Sequence, residues 1–269
     1  KDIQMADDKI LRLVQKRSEY LDFLRGNAAE KPEIAEAIGV SRATVHRVIE
    51  ELLAENLIIK KSDGLSISAF GESLLDAAYN SADASMTIQA AGDLLEHLPD
   101  DAPMDTLFFR DAEFHGIEPP GPQSNVQRAI DRLKNAKELY GIAVGDNNTQ
   151  WVNTIHERSV IQEKTDVRLV MTESLTRRSY NRYQEWLTES IESEHADLRF
   201  TSELPYAMFV TKEPSCSTVH LLIHGEQSEY LGHFEAESHL ANAWAESIFR
   251  SEYEKASPVS EIVDLMGTN

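Results

Sequence analysis

The sequence of 269 residues contains one cysteine, Cys216, and it lacks the features of several common protein classes. A single cysteine cannot form a disulfide within the chain, and it excludes a zinc cluster built on cysteines. No apolar run approaches the length of a transmembrane helix, and no signal peptide is recognisable. We therefore expect a protein of a reducing cytoplasm that has no membrane partner.

Sequence motifs of catalysis and metal binding are absent as well. The chain has no G-x-S-x-G, P-loop, G-x-G-x-x-G or H-x-K-x-x-x-x-D pattern. Cys216 lies between two serines and has no obvious His or Asp partner in the sequence, which argues against a catalytic thiol. His220 and His224 are four residues apart, but their run is strand-like and no third ligand has a convincing spacing. We expect no catalytic residue, no bound metal and no cofactor.

Positive charge is scarce, since 26 Lys and Arg stand against 46 Asp and Glu, for a net charge of −20. The deficit is uneven, because residues 5–70 contain 10 basic and 11 acidic residues, whereas residues 71–269 contain 15 and 34. Dense surface carboxylates retain hydration at high salt, so the composition favours a halophile protein, with an acidic mesophilic protein as the alternative.

Residues 31–56 have the pattern of two helices joined by a tight turn. Pro32 fits the first turn of a helix over residues 31–38, where its missing N–H leaves no bond unmade. Gly39 can adopt the left-handed conformation that ends a helix, and Ser41 can cap the next one. On that second helix, residues 42–56, the apolar residues that repeat at i, i+3, i+4 and i+7 are Val45, Val48, Ile49 and Leu52.

A β-hairpin is expected directly after the second helix. Residues 57–61 are strand-like, Ser62-Asp63-Gly64 is a turn signal, and residues 65–68 alternate with a period of two. Helix, turn, helix and hairpin in this order indicate a winged helix-turn-helix, whose second helix enters the major groove of DNA. The alternatives are a small helical domain of similar pattern, or a winged helix that contacts protein.

Three groups of side chains are expected to contact duplex DNA. Arginine to guanine is the commonest specific contact in the major groove, whereas hydroxyls and lysines commonly bind phosphate. The alternative for Arg47 is an ion pair within the helix, with Glu50 or Glu51. The expected groups are Arg42, Ala43, His46 and Arg47 in the groove, Ser41 and Thr44 on phosphates, and Lys60 and Lys61 on the flanking backbone. A wider basic face would add Lys9, Arg12, Lys16, Arg17 and Arg25.

The rest of the chain alternates between strand-like and helical segments. The expected strands are residues 106–110, 140–144, 167–171, 197–200, 206–211, 219–224 and 230–234, and the expected helices are residues 123–138, 150–164, 173–194 and 237–255. This alternation predicts a two-domain protein of α+β and α/β class. A winged helix would be followed by an α/β domain whose mixed, mostly parallel sheet is covered by helices.

The domain boundaries follow from these segments. Residues 1–4 precede Met5 and are interpreted as a cloning remnant, and residues 5–69 as the DNA-binding domain. Residues 70–103 are expected to form a helical linker, which either pairs with its counterpart in a dimer or packs only within the chain. Residues 104–259 would form the effector-sensing domain and residues 260–269 a C-terminal tail.

A ligand site is expected at the carboxyl ends of the parallel strands, where open α/β sheets bind ligands. Arg110 would hold a phosphate or carboxylate, while acidic and amide side chains would accept hydroxyls of a sugar or polyol. The alternative is that all of these are solvated loop residues. The expected ligand-binding residues are Arg110, Asp111, Asn147, Thr172 and Glu173.

Short landmarks make residues 108–259 resemble the effector domain in the middle of archaeal methanogenesis regulatory proteins and of haloarchaeal winged-helix regulators. The N-terminal part is similar to the winged helices of TrmB-like sugar-responsive regulators. The landmarks are Phe109-Arg110, Pro119-Pro120, Val170-Met171-Thr172-Glu173, Leu204-Pro205-Tyr206, Leu231-Gly232, Ala243-Trp244 and Ala256-Ser257-Pro258-Val259.

The resemblance implies a transcriptional regulator that binds double-stranded DNA as a homodimer and senses a small molecule with its second domain. Two alternatives stay open on the sequence alone. One is an enzyme-derived α/β domain fused to a DNA anchor, and the other is a constitutive repressor whose second domain only dimerises.

Overall fold

The computed structural model describes residues 2–116, 122–145, 149–225 and 229–267. They form two compact units, residues 1–82 and residues 83–269, and each is described by itself. The boundary falls within a helix rather than at either end of the expected linker. None of the described helices combines the length and the apolar character that a bilayer crossing requires.

The first unit begins with four helices: α1 (Asp2–Lys16), α2 (Ser18–Phe23), α3 (Lys31–Ile38) and α4 (Arg42–Ala54). Gly39 ends α3 with φ 73°, and the Ser41 hydroxyl accepts the Thr44 amide at 3.2 Å to begin α4. Both local predictions are confirmed. The chain breaks at Arg17 between α1 and α2.

The expected hairpin is confirmed as β1 (Ile58–Lys61) and β2 (Gly64–Ile67), which pair antiparallel with Lys61 opposite Gly64. A residue before α3, Ala29, extends this sheet by exchanging two hydrogen bonds of 2.9 Å with Leu65. Gly64 has φ 134°, and a Cβ there would lie 2.8 Å from the carbonyl carbon of Ala29. Only glycine fits this close approach at the base of the hairpin.

The apolar stripe of α4 anchors the second helix of the motif. Its residues are fully buried, as predicted: Val45, Val48, Ile49 and Leu52. They pack in one cluster with residues of α2, α3 and the hairpin, among them Leu21, Ile34 and Ile58. Burying each such side chain contributes about 1.5–3 kcal/mol, so the stripe fixes which face of α4 points outward.

Three helices precede the sheet of the second unit: α5 (Ala69–Ala90), α6 (Gly92–Leu95) and α7 (Thr106–Arg110). A strand was expected at residues 106–110, and this prediction is wrong. The Asp105 carboxylate accepts the Leu107 amide at 2.8 Å and caps a helical turn that buries Phe108 and Phe109. Three adjacent apolar residues fit a buried strand or a buried helical turn equally well.

The described strands of the second unit form one sheet in the order β10-β6-β5-β4-β7-β8-β9-β3. Only the β4–β5 and β5–β6 pairs are parallel. The expectation of a mixed sheet is confirmed, but a mostly parallel one is wrong. β7, β8 and β9 follow one another through short loops, which join antiparallel strands only. The strands are β3 (Glu113–Gly116), β4 (Glu138–Ala143), β5 (Asp166–Thr172), β6 (Ala196–Thr201), β7 (Ala207–Lys212), β8 (Ser217–His224), β9 (Tyr230–Ala236) and β10 (Ser257–Pro258).

Helices cover both faces of this sheet. They are α8 (Pro122–Asn135), α9 (Thr149–His156) with a π-helical turn (Glu157–Ile161), α10 (Glu173–Arg182), α11 (Gln184–Glu192), α12 (His239–Lys255) and α13 (Val259–Gly267). The long helix expected at residues 173–194 breaks at Tyr183 into α10 and α11. The tail expected at residues 260–269 lies mostly in α13, where Ile262 is buried.

Two apolar cores lie on opposite faces of the sheet. Successive residues of β4 show the alternation, since Leu139 belongs to one core and Tyr140 to the other. The Tyr140 core packs against α12 through Phe249, and the Leu139 core packs against α10 through Leu175.

Candidate functional site

The exposed face of α4 carries the predicted groove residues Arg42, Ala43, His46 and Arg47. Neither arginine forms an ion pair or a hydrogen bond of its side chain with any described residue. The alternative ion pairs of Arg47 are not formed, because Glu50 binds Lys31 at 3.1 Å and Glu51 binds Arg17 at 2.9 Å.

His46 is the one groove residue with fixed neighbours. Its Nδ1 lies 2.8 Å from the Lys31 ammonium and 3.7 Å from a carboxylate oxygen of Glu50. The hydrogen bond from Lys31 lowers the pKa of Glu50 below its ordinary value. The contact through Nδ1 orients the imidazole on the outward face of α4.

Ser41 and Thr44 form the N-terminal cap of α4. The Ser41 hydroxyl caps the helix through the Thr44 amide, and it lies 2.9 Å from the Thr44 hydroxyl. Phosphate binding by these two residues stays a prediction. A helix N-terminus also favours phosphate through its free amides and dipole.

Lys60 and Lys61 lie exposed on β1, and they form no ion pair with the described residues. The wider basic face is corrected by the structure. Arg17 is paired with Glu51, Arg25 with Glu72 and Asp76, and Lys9 lies 4.0 Å from Glu55. Lys16 of the wider face is exposed and, like the arginines of α4 and the lysines of the hairpin, has no partner among the described residues.

The expected ligand-binding residues do not converge. Arg110 and Asp111 precede β3, whereas Thr172 and Glu173 lie at the carboxyl end of β5. Because β3 and β5 run in the same direction, with four strands between them, the two pairs lie at opposite ends of the strands. Asn147 lies outside the described residues.

Each described member of that group has a local partner instead. Arg110 and Asp111 bind each other, and this hydrogen bond lowers the pKa of Asp111. Thr172 caps α10 by accepting the Leu175 amide at 3.2 Å, and Glu173 pairs with Arg177 at 2.8 Å. These contacts give all four residues a structural role.

A polar cluster that the sequence did not reveal lies on the α8 side of the sheet. In register, His220 of β8 lies opposite Glu235 of β9, and His233 of β9 lies opposite His115 of β3. His220, His233 and Glu235 are each at most 5% exposed. The cluster joins three neighbouring strands.

Glu235 is the centre of the cluster. One carboxylate oxygen lies 3.2 Å from His233 Nε2 and 3.4 Å from His220 Nδ1, and the other accepts Arg128 at 3.2 Å. Burial alone would raise the pKa of Glu235, but the two histidines outweigh it and hold this pKa well below its ordinary value.

His115 on β3 and His233 on β9 pack against each other. Burial lowers the pKa of His115 and of His233 below the ordinary imidazole value. Their rings stack with centroids 4.8 Å apart, and the Tyr230 hydroxyl lies 2.6 Å from His233 Nδ1. The spacing of His233 and Glu235, two apart on one strand, was the available sequence signal.

Two family models match the chain. Residues 122–255 match "Methanogenesis regulatory protein FilR1, middle domain", and residues 5–90 match "HVO_A0261 N-terminal domain". The resemblance of the second part of the chain to the middle domain of methanogenesis regulatory proteins is thereby confirmed. No curated protein matches the chain.

Three solved structures are similar to this chain at low identity. TrmBL2, an archaeal chromatin protein, is 14% identical, with a TM-score of 0.42 over 94% of this chain and 100% of its own. NUC of Salmonella typhimurium, a phospholipase D family member, is 13% identical, with a TM-score of 0.39 over 55% and 97%. NucT from Helicobacter pylori is 12% identical, with a TM-score of 0.41 over 55% and 98%. At these TM-scores, the functions of the three proteins are not assigned to this chain.

Proposed function

We propose that this chain is a sequence-specific transcriptional regulator in which α4 enters the major groove of DNA and the β1–β2 hairpin contacts the flanking backbone. The observation that carries the proposal is a set of exposed cations without partners among the described residues: Arg42, Arg47, Lys60 and Lys61. An unpaired cation gives up no intramolecular bond when it meets a phosphate or a base edge.

The charge distribution also supports the proposal that α4 and the β1–β2 hairpin face the DNA. A chain of net charge −20 is repelled by DNA as a whole, so a surface that binds the duplex must present cations that no carboxylate pairs. We propose that the protein works in a high-salt cytoplasm, where counterion release contributes little to affinity. Base contacts would then account for most of the discrimination between sites.

We further propose a homodimer that responds to a sugar or a phosphorylated metabolite through the second unit. The long helix α5 exposes apolar side chains, with Phe70 49% and Met86 70% exposed, which suits pairing with a second copy. Two winged helices would then reach half-sites about 34–36 Å apart, one turn of the duplex. A metabolite would act if its affinity differs between the DNA-competent and incompetent states.

We propose that the second unit regulates rather than catalyses. The family model that matches it describes a regulatory protein, and the sequence contains no H-x-K-x-x-x-x-D motif of the phospholipase D type. Turnover of a candidate metabolite by the purified chain would contradict this part.

The groove assignment is tested with Arg47→Ala. Because the target sequence must first be found, the wild-type chain selects its site from a random duplex library at high KCl. Arg47→Ala is then expected to weaken binding to the selected site by about 1–3 kcal/mol. Fluorescence anisotropy at the same salt concentration measures the change.

Arg178→Ala is the matched control, since Arg178 is also an exposed helical arginine without a partner among the described residues. It lies on α10 of the second unit, so its removal should leave DNA affinity unchanged. Equal affinity of Arg47→Ala and wild type for the selected site would overturn the groove assignment.

A further inference from the structure

We propose that His115, His233 and Glu235 form a binding site for a divalent transition-metal ion of the Zn²⁺ type. The three residues come from β3 and β9, which pair at the edge of the sheet beneath α8. The proposal does not depend on DNA binding, because it concerns only the second unit.

The geometry brings three suitable ligand atoms together. One nitrogen of each histidine and one carboxylate oxygen all lie within 4.8 Å of one another, and His233 Nε2 lies 3.2 Å from the Glu235 oxygen. Metal–ligand bonds of about 2.0–2.2 Å place tetrahedral ligands roughly 3.3–3.6 Å apart. Gaps of up to 4.8 Å would therefore have to close by as much as roughly 1.2–1.5 Å when an ion binds.

An unsatisfied nitrogen atom gives a second, independent indication. His115 Nε2 is buried and makes no hydrogen bond within the described structure. A buried nitrogen without a partner costs about 1–3 kcal/mol, and a metal ion bonded to its lone pair removes that cost.

Neighbouring groups hold the proposed ligands in position. The Tyr230 hydroxyl lies 2.6 Å from His233 Nδ1 and could accept a proton from it once an ion is bound, which would free Nε2, the neighbour of Glu235, to bind the ion. The second oxygen of Glu235 accepts Arg128 at 3.2 Å, so the first, which faces His233 and His220, would be the one that binds the ion. Metal sites commonly have such outer hydrogen bonds to a ligating histidine and carboxylate.

The charge around the cluster is compatible with a dication. Arg128 and Arg132 would repel it, but four carboxylates lie within 4 Å of these two guanidinium groups: Glu113, Glu213, Glu235 and Glu237. The group is therefore net negative before an ion binds. Two imidazoles and one carboxylate are a donor set that Zn²⁺ binds well, and they leave a fourth position open.

Cobalt is the probe, since Co²⁺ adopts the same geometry and absorbs visible light when bound. The full chain, without an affinity tag, is dialysed against Co²⁺ at high KCl. One bound Co²⁺ per chain is expected, with a visible absorption band and a higher melting temperature. Zn²⁺ should displace the cobalt and abolish the band.

Variants separate the proposed site from adventitious binding. His115→Gln and His233→Gln should each weaken Co²⁺ binding at least 100-fold, and Tyr230→Phe about 10–100-fold, as for outer partners of metal ligands. His195→Gln removes an exposed histidine beside Asp166, at 2.7 Å, and should bind like wild type.

Circular dichroism without metal identifies the variants that remain folded, and His115→Gln serves as the milder substitution because His115 lies on the edge strand β3. Absence of saturable binding to the wild-type chain would overturn the proposal. So would wild-type affinity of a folded His115→Gln or His233→Gln, or an equal loss in His195→Gln.

Discussion

Most arginines of the second unit are paired with carboxylates, whereas the two arginines on α4 of the first unit are not. In the second unit, seven arginines are paired with carboxylates: Arg110, Arg128, Arg132, Arg168, Arg177, Arg199 and Arg250. In the first unit, Arg42 and Arg47 on α4 have no partner among the described residues, although Glu50 and Glu51 lie on the same helix.

This difference is informative because carboxylates are so abundant. Where 46 acidic residues face 26 basic ones, most of the described arginines meet a carboxylate, and the two on α4 do not. Exposed ion pairs contribute only about 0–1 kcal/mol, so stability alone does not require either arrangement. Keeping carboxylates away from one surface preserves its attraction for an external anion, and this is the property that a DNA-binding surface needs.

The largest expected effect on stability comes from a paired arginine, in the variant Arg132→Met. Arg132 lies 2.7 Å from Glu237 and 3.9 Å from buried Glu235, so its loss leaves buried carboxylate charge partly unbalanced. Methionine keeps the apolar stem, and the free energy of unfolding should fall by about 1–3 kcal/mol. Urea denaturation followed by circular dichroism measures this change.

Arg250→Met is the control for that variant, because Arg250 is 67% exposed and pairs only with Glu246 one helical turn away. It should alter the free energy of unfolding by no more than about 0.5 kcal/mol. DNA affinity should be unchanged in both variants. If Arg47→Ala destabilised the chain as much as Arg132→Met, the contrast between the units would be wrong.

The difference between the units also explains what the sequence could predict. The features of α4 are local, since Gly39, Ser41 and the spacing of Val45 to Leu52 act within a few residues of one another. The hairpin likewise depends on the two-residue turn before Gly64. Signals of this kind specify a structure without knowledge of distant partners.

The second unit depends on distant pairing, and its prediction was correspondingly incomplete. Whether β7 pairs with β4 or with another strand is not encoded in its own pattern, so the sheet was expected to be mostly parallel. The cluster of His115, His233 and Glu235 exists only through the register of β3 and β9. Because β3 was not predicted, the sequence could not bring these three residues together.

A smaller effect is expected from Lys60→Gln in the hairpin. A lysine on a phosphate binds without regard to sequence, so affinity should fall similarly for the selected site and for random duplex. The slope of log affinity against log KCl should become shallower by about 1. Anisotropy titrations across a series of KCl concentrations measure the slope.

Lys255→Gln is the matched control, because Lys255 of the second unit is paired with Glu252 at 2.9 Å. It should leave the slope unchanged. If Lys60→Gln left the slope of log affinity against log KCl unaltered, the hairpin would not be part of the proposed interface. The difference in cation pairing between the units would then matter for DNA binding only at α4.

The smallest effect concerns pH, which should act mainly on the second unit because it contains every histidine except His46. Burial lowers the pKa of His224, so the unfolded chain binds this proton more tightly than the folded one. The stability that results from neutral His224 is fully present above the ordinary imidazole pKa of about 6.5, and it is lost as the pH falls below that value.

His195 should behave in the opposite way. Its hydrogen bond to Asp166 raises the pKa of the imidazole, so the stability it adds is complete below the ordinary value and is lost as the pH rises through the raised one. From pH 8 to pH 5, the melting temperature of wild type relative to His224→Gln should fall, and relative to His195→Gln it should rise. If both differences in melting temperature changed in the same direction, the exposure of a histidine would not determine whether its pKa is raised or lowered. The low pKa of the buried histidines of the second unit would then need a cause other than burial.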